Sequence, residues 1–263
     1  MRRFDAEYLA STRRGMWDRR EALSGLDLGG RTRTLDVGCG SGELTRVLVE
    51  ESPGEVVGVD ADRALLEHAR ERAPVVAGDA RRLPFFTGAF DLVVCQALLI
   101  NLPHPEHTVR EFRRVSRELV CGIEPDNGEV RVESTVGGEA ELERRSRARY
   151  IEGVETDVTL GEGTRRLFEE AGLSAVETTR YDHEKRIEPP YDDGALEAVR
   201  RKATGAGLDS DRETLLSSAL TEEGFDDLRE EWRAVGHEAA TQMQAGSYRR
   251  TETVPFYVTV GRV

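Results

Sequence analysis

Three carboxylates and three glycines are the residues of this chain whose types and spacing could do chemistry together. In Thr34-Leu-Asp-Val-Gly-Cys-Gly-Ser-Gly-Glu43 an apolar run carries Asp36 into glycines at 38, 40 and 42. Such glycines let the backbone turn tightly and approach a ligand with no Cβ in the way. A dinucleotide loop would read GxGxxG, but Glu43 stands where its third glycine belongs, and the GK[ST] ending of a triphosphate loop is missing. A carboxylate ahead of bare backbone suits instead a ligand whose nearby group is a cation, such as the ammonium of an amino acid. Two more acids follow in order: Asp60 closes Val56-Val-Gly-Val-Asp60, and Asp79 follows Gly78. Each alone has a plain reading, Asp79 as a turn residue and Asp60 as the ribose-binding acid of a dehydrogenase. Their succession in one register points to one ligand.

The elements that must position these residues follow from periodicity. Short β-branched runs at 33–37, 56–60, 75–77, 90–95 and 119–124 alternate with amphipathic helical stretches at 43–51, 63–72 and 106–117. Strand and helix in alternation make right-handed crossovers, and the ligand crevice of such a sheet lies at the carboxyl ends of its strands. Past Glu124 the rhythm loosens into helices at 139–152 and 163–171, a strand at 175–181, a long helical stretch at 193–245 broken around Gly205 and Gly224, and a closing strand at 254–260. No independent second core is expected. The fold class is thus α/β with a doubly wound sheet, and the family resemblance of these motifs implies a Rossmann-like, seven-stranded, mostly parallel sheet with an antiparallel last strand and a helical lid insertion. One domain spans 1–263, with an N-terminal helical lid at 1–29, a core at 30–182 and 254–263, and a helical insertion at 186–250 over the acceptor site. Tyr191, Phe225, Trp232, Met243 and Tyr248 are either walls of that site or the insertion's own core. The stretch from Tyr8 to Trp17, with Arg13, Arg14 and Met16, is either a solvated helix or a lid over a cofactor.

With these motifs in place the chain resembles class I S-adenosylmethionine-dependent methyltransferases, whose first motif has the form (D/E)xGxGxG. The resemblance implies that the Asp60 carboxylate grips the ribose hydroxyls, that Asp79 accepts from the adenine amino group, and that Cys95 faces the methionine moiety by its backbone. The cofactor-binding set it implies is Asp36, Gly38, Gly40, Gly42, Asp60, Ala61, Asp79, Ala80 and Cys95, with S-adenosylmethionine as the cofactor. Phe90-Asp-Leu-Val-Val-Cys95 matches the family's fourth strand, and Asn101-Leu-Pro-His-Pro105 is similar to the loop that introduces its next helix. Ile123-Glu-Pro-Asp-Asn127 and Phe168-Glu-Glu-Ala-Gly-Leu173 resemble the branch that methylates small molecules. The Asn/Asp-Pro-Pro-Tyr element of amino-group methyltransferases is absent after Val94, where the chain reads Cys95-Gln-Ala-Leu98. The activity implied is methyl transfer to a small organic acceptor. An RNA methyltransferase and a noncatalytic S-adenosylmethionine-binding module are the rival readings, and a nicotinamide enzyme is more distant. His104, His107, His183 and His237 are the imidazoles that could serve a protonated acceptor as base, with none singled out, while His68 lies on a charged helix.

Composition bounds the surroundings. Asp+Glu 50 against Lys+Arg 37 leaves a net charge of -13, and Lys185 and Lys202 are the only lysines, so 37 less 2 leaves 35 arginines. That balance resembles the proteins of salt-loving archaea, and it argues only weakly against nucleic acid. The arginine pairs at 144 and 145, 200 and 201, and 249 and 250 read as solvated faces. Cys39, Cys95 and Cys121 make no CxxC pair, so neither a disulfide framework nor a metal site is expected. No run reaches the roughly 18 apolar residues of a membrane span, and Met1-Arg-Arg-Phe-Asp5 lacks a signal peptide's apolar core. A cytoplasmic protein that does not engage membranes is the expectation.

Overall fold

The computed structural model describes residues 9, 12, 13, 15–18 and 20–263. Tyr8 and Arg14 of the expected N-terminal lid lie outside the described residues. The chain divides into two compact units, one of residues 1–126, 160–181 and 255–263, the other of 127–159 and 182–254.

The first unit is the alternating one. Strands β1 (Arg33–Val37), β2 (Glu55–Asp60), β3 (Val75–Ala77), β4 (Phe90–Gln96) and β5 (Ser116–Pro125) run parallel in the order β3-β2-β1-β4-β5. The sheet reverses from β1 outward on either side, which creates a switch point beside the carboxyl end of β1. Beyond β5 lies β8 (Arg250–Arg262), antiparallel, with Glu124 opposite Tyr257, and β7 (Ser174–Ile187) pairs with β8. These strands are hydrophobic in near-continuous runs because both faces are covered: every residue of β4 is buried. Helices α1 (Glu43–Glu51), α2 (Arg63–Ala69), α3 (Pro105–Val115) and α5 (Thr164–Glu170) supply the cover. On α3, Pro105 occupies the first turn, where its missing N–H costs nothing, and Val109, Phe112 and Val115 form the buried stripe. The core joins Val37, Val59, Val93, Val120, Phe112 and Phe168.

The second unit holds β6 (Arg131–Ser134), which pairs antiparallel with residues 250–253, and the helices α4 (Glu139–Gly153), α6 (Asp193–Thr204), α7 (Ala206–Ser210), α8 (Arg212–Leu216) and α9 (Glu222–Gln244). The expected insertion at 186–250 is therefore only part of this unit, which also takes in 127–159. The expectation of no second core is corrected: Val136, Val199, Met243 and Tyr248 form one buried cluster and Leu142, Leu215, Phe225 and Leu228 another. Phe225, Met243 and Tyr248 are thus core residues, with Tyr191 and Trp232 packed against those clusters. The sheet count is corrected too, from seven to eight, because β6 alternates exposed and half-buried over only four residues. The helical stretch breaks at Gly205 and again at 217–221, just ahead of Gly224, which lies in the first turn of α9, where Thr221 caps the start by accepting from the Gly224 N–H. Among the described residues no helix is long and apolar enough to cross a membrane.

Candidate functional site

The site grows out of the carboxyl end of β1. The chain leaves Val37 through Gly38 at φ 72°, Gly40 at 55° and Gly42 at 90°, backbone that side chains resist. The N–H groups of Gly38 and Cys39 both donate to the Val59 carbonyl, at 2.7 and 3.0 Å, and so bind the loop to β2. The Gly40 N–H donates to Asp60 Oδ2 at 2.9 Å and the Asp62 N–H to Asp60 Oδ1 at 2.8 Å. Each carboxylate oxygen can accept about two bonds, so Asp60 is oriented by the loop without being exhausted by it. A Cβ on Gly40 would lie 2.9 Å from Leu9 Cδ1, the movable tip of a side chain, so it is the positive φ that calls for glycine there.

Asp36 lies beneath, 1% exposed, its Oδ2 accepting from Thr45 Oγ1 of α1 at 2.6 Å. Burial pushes its carboxyl up to about 6 against the downward pulls of the Thr45 hydroxyl and Arg13, and the Asp60 charge adds to the rise. Burial likewise pushes the Cys39 thiol well up, with the Asp36 and Asp60 charges both adding to it. Asp79 stands at the next strand end, since β3 pairs with β2 through Asp60 and Ala77. Its carboxylate is occupied by Arg81, which donates from its N–H at 2.9 Å, from Nε at 3.0 Å and from Nη2 at 2.7 Å. That side-chain bond holds Asp79 below the usual carboxylate range. Ala61 is exposed and Ala80 half-buried. The structure thus gathers Asp36, the glycines and Asp60 closely, with Asp79 and Ala80 alongside.

Cys95 sits one residue inside the end of β4, in register with Val37 on one side and Gly122 on the other. Its Sγ donates to Glu124 at 3.5 Å, and burial holds the thiol far above its ordinary value. Gln96 is the last residue of the strand, on the face opposite Cys95, and β1 with β4 places Gly38 next to it. The sequence passed over Gln96, although strand alternation alone assigns it to the face that Asp36 shares. It also underrated Glu124, which is 0% exposed and accepts from the N–H groups of Leu98 and Leu99 at 3.1 and 3.0 Å and of Ile100 at 3.3 Å. Of the imidazoles, His104, His107 and His237 are exposed and His183 is buried in the second unit.

An adenosyl amino acid fits these residues on three observations. The glycine loop offers backbone without Cβ, and Asp60 retains accepting capacity. Ser41 Oγ in the loop is buried with no partner among the described residues, whereas buried polar atoms are as a rule hydrogen-bonded.

Residues 35–119 match the family model described as methyltransferase domain. The demethylmenaquinone methyltransferase of Lactiplantibacillus plantarum is 32% identical over 117 residues, 39% of this chain and 49% of that protein. The malonyl-[acyl-carrier protein] O-methyltransferase of Legionella pneumophila is 36% identical over 96 residues, 34% of each chain. The chain therefore spans half or less of the length of these curated relatives. A solved S-adenosylmethionine-dependent methyltransferase from Archaeoglobus fulgidus superposes with a TM-score of 0.53 at 15% identity, over 98% of this chain and 100% of that one, a likeness of fold.

Proposed function

We propose that this chain, with its methyltransferase domain at residues 35–119, is an enzyme that moves the methyl group of S-adenosylmethionine to a small organic acceptor. The observation that carries the reading is the bond from the Gly40 N–H to the Asp60 carboxylate. It draws the glycine loop and the second acid into one cradle, with buried Asp36 below. In this reading Asp36 faces the ammonium, Asp60 takes the ribose hydroxyls, Gly38, Gly40 and Gly42 let the ligand lie on bare backbone, and Ala61, Asp79, Ala80 and Cys95 complete the surround. Asp79 reaches an adenine amino group only by sharing its carboxylate with Arg81. When bound, S-adenosylmethionine supplies an electrophilic methyl on a sulfonium. The protein's own work is to hold the donor and acceptor in line and to exclude water. A small acceptor is supported by the relatives' names, and the arginine-rich, lysine-poor balance supports work in concentrated salt.

Calorimetric titration with S-adenosylmethionine, S-adenosylhomocysteine and NAD tests the cofactor. The first two bind and NAD does not. Asp60→Ala removes both the ribose partner and the anchor of Gly40, and weakens S-adenosylhomocysteine by roughly a hundredfold, the loss of about two charge-assisted hydrogen bonds. Unchanged binding by that variant would sink the site assignment.

A further inference from the structure

Gln96 is 4% exposed, and its two amide ends are treated differently. Nε2 donates to the Met16 thioether sulfur at 2.8 Å, a weak acceptor, while Oε1 has no partner among the described residues. Turning the amide over would set oxygen against sulfur and lose the one bond it makes, so the orphan is the oxygen. A buried carbonyl oxygen without a donor destabilises a fold, and a leucine or methionine of the same size would avoid that loss. The position is not incidental. Gln96 closes β4 on the sheet face it shares with Asp36, beside Gly38, at the strand ends where a doubly wound sheet receives its ligands. The residue after Met16 has the complementary defect: Trp17 is buried, its Nε1 is without a partner among the described residues, and its ring stacks on Tyr181 at 6.0 Å.

We propose that Gln96 is a specificity-determining residue of the acceptor site: its Oε1 accepts a hydrogen bond from the nucleophile, which is therefore a hydroxyl or an amine that still carries its proton. A carboxylate or a carbon nucleophile has no such hydrogen to give and would leave Oε1 orphaned. This deepens the methyltransferase reading and rests on it. An amide does not take up a proton at neutral pH, so Gln96 orients rather than deprotonates. The nucleophile's lone pair forms the new bond to the methyl carbon, the carbon–sulfur bond breaks with its electron pair left on sulfur as a thioether, and the proton of the O–H or N–H passes to water. The Met16 sulfur, a poor acceptor, gives up its bond to the amide at little cost, and the Trp17 Nε1 is a donor for an oxygen elsewhere on the acceptor.

Three measurements on wild type, Gln96→Leu and Gln96→Met test the proposal. The first is thermal melting, where removing a functionally retained orphan raises the midpoint by a few degrees. The second is calorimetric binding of S-adenosylhomocysteine, which both variants retain within about threefold. The third is transfer from methyl-tritiated S-adenosylmethionine into a metabolite extract of the source cells, which both variants lose by about a hundredfold, the scale of one lost hydrogen bond to a reacting group. Mass analysis of the labelled product distinguishes an O-methyl from an N-methyl arm, and either supports the proposal. A C-methyl product, a methyl ester, label confined to macromolecules, no label at all, or variants that transfer as fast as wild type would each overturn it. Lowered melting in both variants would also overturn it, because the amide would then be a structural one. Wild type that fails to bind S-adenosylhomocysteine defeats the cofactor reading itself, a different result from any of these.

Discussion

Asp36 is buried and accepts from one hydroxyl, an incomplete set of partners for a carboxylate meant to stay charged. Its carboxyl at about 6 means that near neutral pH it is ionised but easily discharged. A ligand ammonium favours the ionised form, so binding a cation below pH 6 must first displace the proton. Affinity for S-adenosylhomocysteine should therefore fall as pH drops through 6, by about tenfold per pH unit at the limit. Calorimetry between pH 5 and 7.5 reads this directly, and in buffers of different ionisation enthalpy it also counts the proton released. Asp36→Asn should bind more weakly at pH 7.5 and lose the slope. A wild-type affinity that is flat across the range would show that no cation approaches Asp36. The type and place of this residue are legible in the sequence, since a carboxylate leading into spaced glycines has few other uses. Its burial against Thr45 is not, because that depends on how α1 packs on β1.

At the scale of elements, the turn after β4 depends on one side chain of β5. Ala97 takes φ 48°, a conformation that costs a residue with a Cβ, and the chain then makes the 3-10 turn Leu99–Asn101. Glu124 gathers the N–H groups that open this turn, as an N-cap would. Burial pushes its carboxyl up to about 7 from 4.5, partly offset by those backbone donors. The folded protein thus holds protons on Glu124 and Asp36 that the unfolded chain has released. Stability must fall as pH rises from about 4.5 to 7 and level off above, with Glu124 contributing on the order of 3 kcal/mol. Carboxylates held below their usual range, such as Asp79, Asp91 and Glu111, act in the other direction but only as pH falls through the ordinary range and beneath it. Denaturant melts from pH 5 to 8 should show the decline, and Glu124→Gln should flatten it. An increase over that window would refute it. The sequence places the strand that carries Glu124, since 119–124 is a β-branched run, and α1 begins and ends where periodicity puts it. It misses β6 and the second core for a physical reason. A four-residue edge strand has too little alternation to register, and the apolar residues of α4, α6 and α9 are spaced among charges that periodicity reads as solvent. Arg250, at the start of β8, was expected on a solvated face, yet it lies 11% exposed between Glu143 and Glu252 at 3.0 and 2.6 Å.

For the molecule as a whole the deciding quantity is the excess of acid, -13. Exposed ion pairs oppose it: Arg33 with Glu55 at 2.9 Å, Arg144 with Glu141 at 2.6 Å, Arg200 with Glu197 at 2.6 Å. Added salt weakens both the repulsion and these attractions, so the sign of its effect turns on distance. At 1 M the screening length is about 3 Å, against about 10 Å at 0.1 M. Pairs in contact lie inside even the shorter length and keep much of their attraction, small as each is. The unpaired carboxylates repel one another across wider gaps, and that term is nearly abolished. The buried charges of the second unit are insulated from either change: Lys202, one of the two lysines, bonds Glu139 and Glu143 and lies 4.9 Å from the Trp232 ring centre. Salt should therefore stabilise this protein on balance. Raising KCl from 0.1 to 1 M should raise the melting midpoint, most steeply below about 0.5 M where the screening length changes fastest. A midpoint that falls would mean that the surface arginines, through their pairs, outweigh the excess carboxylates, and that the acidity is no burden to the fold in dilute salt.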